Sequence, residues 1–216
     1  GALPPLIRCL RSNSESVQWH AAGAIANLAI NTANKSQIIA NGGLTPLCTL
    51  AHSSNEKVLR QVTRALFALA AKQDLRPLIV QAGVLQPLVR LLSFRHSEVQ
   101  RNSAGAIGNI AAGAPANKAE IARQGGLEPL VKLLGSPRSN VQNQAARAVS
   151  TLACETELQP QIVQAGALRP LIRLLGSDSS EVQKYASLAL ANLAALRQNQ
   201  PLIVQLGALE PLVHTS

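Results

Sequence analysis

The sequence predicts an all-α solenoid, a right-handed superhelix of stacked three-helix repeats, and three observations carry that prediction. A proline recurs at Pro5, Pro46, Pro87, Pro129, Pro170 and Pro211, at spacings of 41, 41, 42, 41 and 41 residues. A valine recurs independently at Val17, Val58, Val99, Val141 and Val182, with the same extra residue between the third and fourth copies. The chain is 47% apolar but only 2% aromatic, so its core must be built from Leu, Ile, Val and Ala, as closely packed helices require. A fixed period of this length marks a repeat architecture, in which neighbouring units bury one another's apolar faces.

Each unit reads as three helices. A short segment, GALPPLIRCL and its counterparts GGLTPLCTL, GVLQPLVRLL, GGLEPLVKLL and GALRPLIRLL, places the recurrent proline in a first turn, where the amide it lacks would be unpaired anyway. A cluster of Ser, Asn and acidic residues follows, mixing turn and N-cap types. A long helix comes next. Over 99–111 its apolar positions are Val99, Ala106, Ile107 and Ile110, with small Ser103 between them, the spacing of a helix that buries one face. A shorter helix such as RPLIVQAG closes the unit, with Pro77 at its start and Gly83 as a left-handed stop. The boundaries fall at 1–41, 42–82, 83–124, 125–165 and 166–206, with a partial sixth unit from 207, all within one domain of 1–216.

The pattern G-A-L-x-P-L-V-x-L-L, followed by V-Q-x-x-A-x-x-A-L-x-N-L-A, resembles the armadillo family over essentially the whole chain. The segments AAGAIANLA and SAGAIGNIA are more similar to β-catenin and the yeast vacuolar armadillo protein than to importin-α. The importin-α branch pairs a Trp with an Asn four residues later on the long helix, whereas the matching sites here hold Gly23, Arg64, Gly105, Arg147 and Leu188. The resemblance implies a protein–protein interaction scaffold, with the long helices lining a concave groove that takes an extended peptide.

Numbering the long helix from its valine, positions 3, 4, 7 and 11 cluster on the groove-facing side. Position 3 reads Trp19, Arg60, Arg101, Asn143, Lys184, and position 4 reads His20, Gln61, Asn102, Gln144, Tyr185. Position 7 carries Arg64 and Arg147, and position 11 carries Asn27, Asn109 and Asn192. These twenty positions hold five cations and no acid, although the chain has eleven acids. Glu15, Glu98 and Glu181 are expected at the helix starts, complementing the dipoles. An asparagine can both donate to and accept from a peptide backbone, and the family resemblance gives the three asparagines that role. It also implies that a Lys just after the long helix pairs with a partner's acidic side chain, which points to Lys35 and Lys118, with Gln200 in the fifth unit.

Units one and three share Gly at position 7, Asn at position 11 and a later Asn-Lys, while units two and four share Arg64 and Arg147. The working period is then two repeats. Packed helices lie roughly 8–10 Å apart, so a pair advances about 20 Å. At about 3.3 Å per extended residue, that predicts a ligand with acids about six residues apart.

Charge, cysteines and missing motifs bound the alternatives. The net charge of +9 and pI near 10.3 favour acidic partners. Nucleic acid is a weaker fit, because single-strand binding needs stacking aromatics and the chain has only Trp19, Tyr185, Phe67 and Phe94. Cys9, Cys48 and Cys154 are odd in number and far apart, which suits a reducing compartment, cytoplasm or nucleus. Cys9 and Cys48 stand where other units carry Leu or Val and are expected to be buried. The histidines have no metal-ligand spacing, no paired acids suit general acid–base chemistry, and no phosphate loop follows a strand. An enzyme is not expected, nor any cofactor. No leader precedes the first repeat, no stretch is long enough to span a bilayer, and Asn34-Lys35-Ser36 is read as a silent glycosylation sequon. The chain opens inside a unit and has no Met, which leaves open an excised fragment, an engineered chain, or a module that self-associates through exposed solenoid ends.

Overall fold

A computed structural model describes residues 1–207, so Pro211 and most of the partial sixth unit lie outside the described residues. The chain divides into two compact units, Gly1–Ile110 and the part from Ala111 onward. The first contains α1 (Leu3–Cys9), α2 (Glu15–Leu28), α3 (Thr32–Ala40), α4 (Leu44–Leu50), α5 (Glu56–Ala70), α6 (Arg76–Gln81), α7 (Leu85–Leu91) and α8 (Ser97–Ala111), the last closing at the boundary. The second contains α9 (Pro115–Arg123), α10 (Leu127–Leu133), α11 (Ser139–Ala153), α12 (Gln159–Gln164), α13 (Leu168–Leu174), α14 (Ser180–Ala194) and α15 (Gln200–Gln205). No strand occurs among the described residues.

The long helices are α2, α5, α8, α11 and α14. Within the first unit α2 packs against α5, and within the second α11 packs against α14. The first short helix of a repeat lies on the long helix that follows it in four cases: α1 on α2, α4 on α5, α10 on α11 and α13 on α14. The apolar period decides which face turns inward. In α5, Val58, Leu59, Val62, Ala65, Leu66 and Leu69 are fully buried, and in α8 so are Val99, Ser103, Ala106, Ile107 and Ile110. Covering each Leu or Ile contributes about 1.5–3 kcal/mol relative to leaving it exposed.

The loops before the long helices are held by their polar residues. The hydroxyls of Ser12, Ser53, Ser136 and Ser177 each accept from the backbone amide two residues on. Asn55 caps α5, accepting from the amides of Lys57 at 2.9 Å and Val58 at 3.3 Å. Gly83, at φ 74°, ends α6 in the left-handed conformation that a side chain would strain.

A second cap appears at the other end of the long helices, and sequence reasoning missed it. Side chains at or near the start of the next short helix reach back six residues to a carbonyl in the last turn of the long helix. Asn34 donates to Leu28 at 3.1 Å, Arg76 to Ala70 at 3.2 Å, Gln159 to Ala153 at 3.0 Å and Asn199 to Leu193 at 2.8 Å. Burial pulls the Arg76 guanidinium below its usual pKa. The sequon asparagine is therefore a structural cap. The expectation that Cys9 and Cys48 are buried is corrected, since both are half-buried; Cys154, at the end of α11, is exposed.

Candidate ligand face of the long helices

The predicted site residues all lie on or just after the long helices, but many already have partners within their own unit. In the first unit Trp19 packs on His20 with ring centroids 4.3 Å apart, and the Lys57 ammonium lies 5.6 Å from the Trp19 ring. Asn27 is exposed, and its Oδ1 accepts from the Arg64 guanidinium of the next long helix. Arg60 donates from Nε to Glu98 Oε2 at 2.7 Å. Arg101 donates to Asn102 Oδ1 at 2.9 Å, and Asn102 is fully buried, its amide 3.4 Å from the Thr63 hydroxyl. The expectation that position 4 faces the groove thus fails at Asn102, which lies between α5 and α8.

Asn109 is buried as well, with its amide 3.4 Å from the carbonyl of Phe67. In the second unit Asn192 does the same, donating to the carbonyl of Ser150 at 3.0 Å, with Cys154 Sγ at 3.2 Å. Phe67 and Ser150 each lie in the last four residues of a long helix, where carbonyls lack helical partners. The asparagine at position 11 therefore caps the preceding long helix, and only part of its hydrogen-bonding capacity remains for a ligand.

Also in the second unit, Arg147 donates to Gln144 Oε1 of its own helix at 3.1 Å, and Asn143 donates to Glu181 at 3.3 Å. Lys184 is exposed, its ammonium 5.7 Å from the half-buried Tyr185 ring. Lys118 is buried and paired with Glu155 at 3.4 Å. Lys35 is buried too, at 9% exposure, and among the described residues its ammonium meets no such carboxylate.

All three first-turn glutamates do more than complement a helix dipole, since Glu98 neutralises Arg60, Glu181 accepts from Asn143 and Glu15 accepts from Asn55 at 2.6 Å. The signal was present in the numbering: the partners stand 38 residues apart in two cases and 40 in the third, just under one repeat. Sequence reasoning also passed over Glu155. Among the described residues no group of three or more His, Cys, Asp or Glu is placed to hold a metal ion, and no helix is long and apolar enough to cross a membrane.

Five consecutive matches to the Armadillo/beta-catenin-like repeat cover residues 1–30, 31–71, 72–112, 114–154 and 156–195. The chain belongs to the armadillo-repeat family. Its fold is that of an all-helical armadillo solenoid, and the match indicates no catalytic family. No curated protein sequence matches it. Among solved structures, an engineered protein determined by the Northeast Structural Genomics Consortium is 35% identical, with a TM-score of 0.93 over 99% of this chain and 90% of that one. A computationally designed armadillo repeat protein for modular peptide recognition is 36% identical, with a TM-score of 0.84 over 89% of this chain and 82% of that one. A designed armadillo repeat protein in complex with the peptide (KR)4 is 30% identical, with a TM-score of 0.90 over 99% of this chain and 91% of that one.

Proposed function

We propose that this armadillo chain, acting as one repeat domain of the β-catenin-like branch, binds an extended acidic peptide across the outward face of its long helices. The observation that carries the reading is the charge of that face. Arg60, Arg64, Arg101, Arg147 and Lys184 lie on it with no acid at the twenty clustered positions, while the inward faces are packed closed. One similar designed protein holds a basic peptide; the opposite sign here calls for an acidic one. Glu98 quenches Arg60, so the charge preference rests on the other four cations of the face, Arg64, Arg101, Arg147 and Lys184. A reducing compartment, cytoplasm or nucleus, suits three unpaired thiols.

The test uses fluorescence polarisation with peptides of equal charge whose acids are spaced three, six or nine residues apart. The six-spaced peptide is expected to bind tightest, and Arg64→Ala with Arg147→Ala to weaken it. Each exposed pair removed costs about 0.2–1 kcal/mol, more at low salt. Equal affinity for all three spacings would reduce the face to a diffuse basic surface. Tighter binding of (KR)4 than of any acidic peptide would reverse the proposed sign. Sedimentation at several concentrations addresses self-association through the solenoid ends, which a peptide scaffold does not require.

A further inference from the structure

The twenty outward positions carry two large aromatic rings, Trp19 at position 3 of the first repeat and Tyr185 at position 4 of the fifth. They stand at different positions in different repeats, so each is a site of its own and not a rung of a repeated array. Both rings are half-buried, and each already has a cation over it. In the first unit the Lys57 ammonium, from the first turn of α5, lies 5.6 Å from the Trp19 ring centroid. In the second unit the Lys184 ammonium lies 5.7 Å from that of Tyr185. The face of an aromatic ring is its electron-rich side and attracts an ammonium placed within about 6 Å.

No other partner holds these two ammonium groups. Both lysines are exposed, and among the described residues neither ammonium has an ion pair or a hydrogen bond. Carboxylates stand close by in the sequence but are engaged elsewhere. Glu56, next to Lys57, faces Arg95 and His96, and Glu181, one turn before Lys184, accepts from Asn143. Each lysine therefore rests on its ring although a glutamate is within a turn of it.

We propose that Trp19 and Tyr185 are cation subsites of the outward face that the chain holds shut with its own Lys57 and Lys184, so that a lysine or arginine side chain of a ligand is turned away. A basic side chain reaching either ring must displace the resident ammonium and then lie beside a like charge. A carboxylate meets the same ammonium already in place, its freedom reduced by the ring beneath it. The two lysines thus select the sign of the ligand's charge, and Lys57 does so from outside the twenty clustered positions. That the accepted ligand is an acidic peptide rests on the proposed function. The closure of the rings does not.

The chain has one Trp and one Tyr, so indole emission and the tyrosine ring protons in NMR each report a single site. The full chain is titrated with the peptide (KR)4 and, in parallel, with the six-spaced acidic peptide. Wild type is expected to bind (KR)4 weakly, with neither ring responding. K57A opens the first ring: (KR)4 should bind about two- to fivefold tighter, as an exposed cation–π contact allows, and shift the indole emission. K184A should give a similar gain and move the Tyr185 ring protons. K57R keeps a cation on the indole and should behave as wild type. K132A removes the same charge from the exposed Lys132 of α10, which has no ring contact among the described residues, and so separates ring closure from net charge. Equal gains in K57A and K132A, with neither ring responding, overturn the closed subsites and leave the acidic-peptide reading standing. No gain in either K57A or K184A has the same meaning. Wild type binding (KR)4 with both rings shifting shows the rings open and also overturns the inference. If K57A and K184A gain (KR)4 as expected while the acidic peptide binds neither wild type nor any variant, the closed subsites hold and the acidic-peptide reading fails.

Discussion

Replacing Leu190 with Ala is expected to cost about 2–5 kcal/mol of unfolding free energy, while Leu188→Ala, two residues away on α14, changes it by less than about 0.5 kcal/mol. Both are leucines on one helix, so intrinsic propensity cancels and only the face differs. Leu190 is 3% exposed against the inward neighbours of α14, and Leu188 is 44% exposed at position 7 of the outward row. Truncating the first removes transfer energy and leaves a cavity that packed helices cannot fully close. Truncating the second removes surface that water already reaches. Urea unfolding followed by circular dichroism reads both, as a shift of midpoint at unchanged slope. Similar losses for the two variants would mean that the outward face is mis-assigned, and the proposed ligand surface with it.

Asn192→Ala is expected to cost about 1–2 kcal/mol, whereas Asn27→Ala should change stability little. The two occupy the same repeat position but do different things. The Asn192 amide donates to the Ser150 carbonyl at 3.0 Å, in the last turn of α11, where the weak Cys154 thiol at 3.4 Å is its other donor. Removing the donor leaves that acceptor less satisfied at a half-buried site. Asn27 is exposed, and its oxygen accepts from Arg64, an exchange that water readily replaces. Asn192→Asp separates the cap from a ligand-only role, because it keeps the size and sets a carboxylate against a carbonyl. At neutral pH it should be less stable than Asn192→Ala. Should Asn192→Asp equal wild type in denaturant, the amide contributes nothing as a cap and its role is confined to ligand binding.

The sequence by itself determined the repeat length, the three-helix order, the proline in each short helix, the left-handed glycine stop and the buried stripe of every long helix. All of these are local, since a 3.6-residue period, a missing amide or a positive φ acts within a few residues of its cause. The family followed from the same local pattern repeated five times. The state of the outward residues was decided only in three dimensions. Position 11 reads as a ladder of free asparagines until Phe67 and Ser150 present helix-end carbonyls to two of them. Lys35 and Lys118 look equivalent along the chain, yet Glu155 neutralises Lys118, and Lys35 meets no such carboxylate among the described residues. For Arg60, Arg64, Asn143, Asn192 and Lys118 the partner lies about 40 residues away on the adjacent repeat, so their charge and hydrogen-bonding capacity are settled by stacking, whereas Arg101 and Arg147 bond within their own helices.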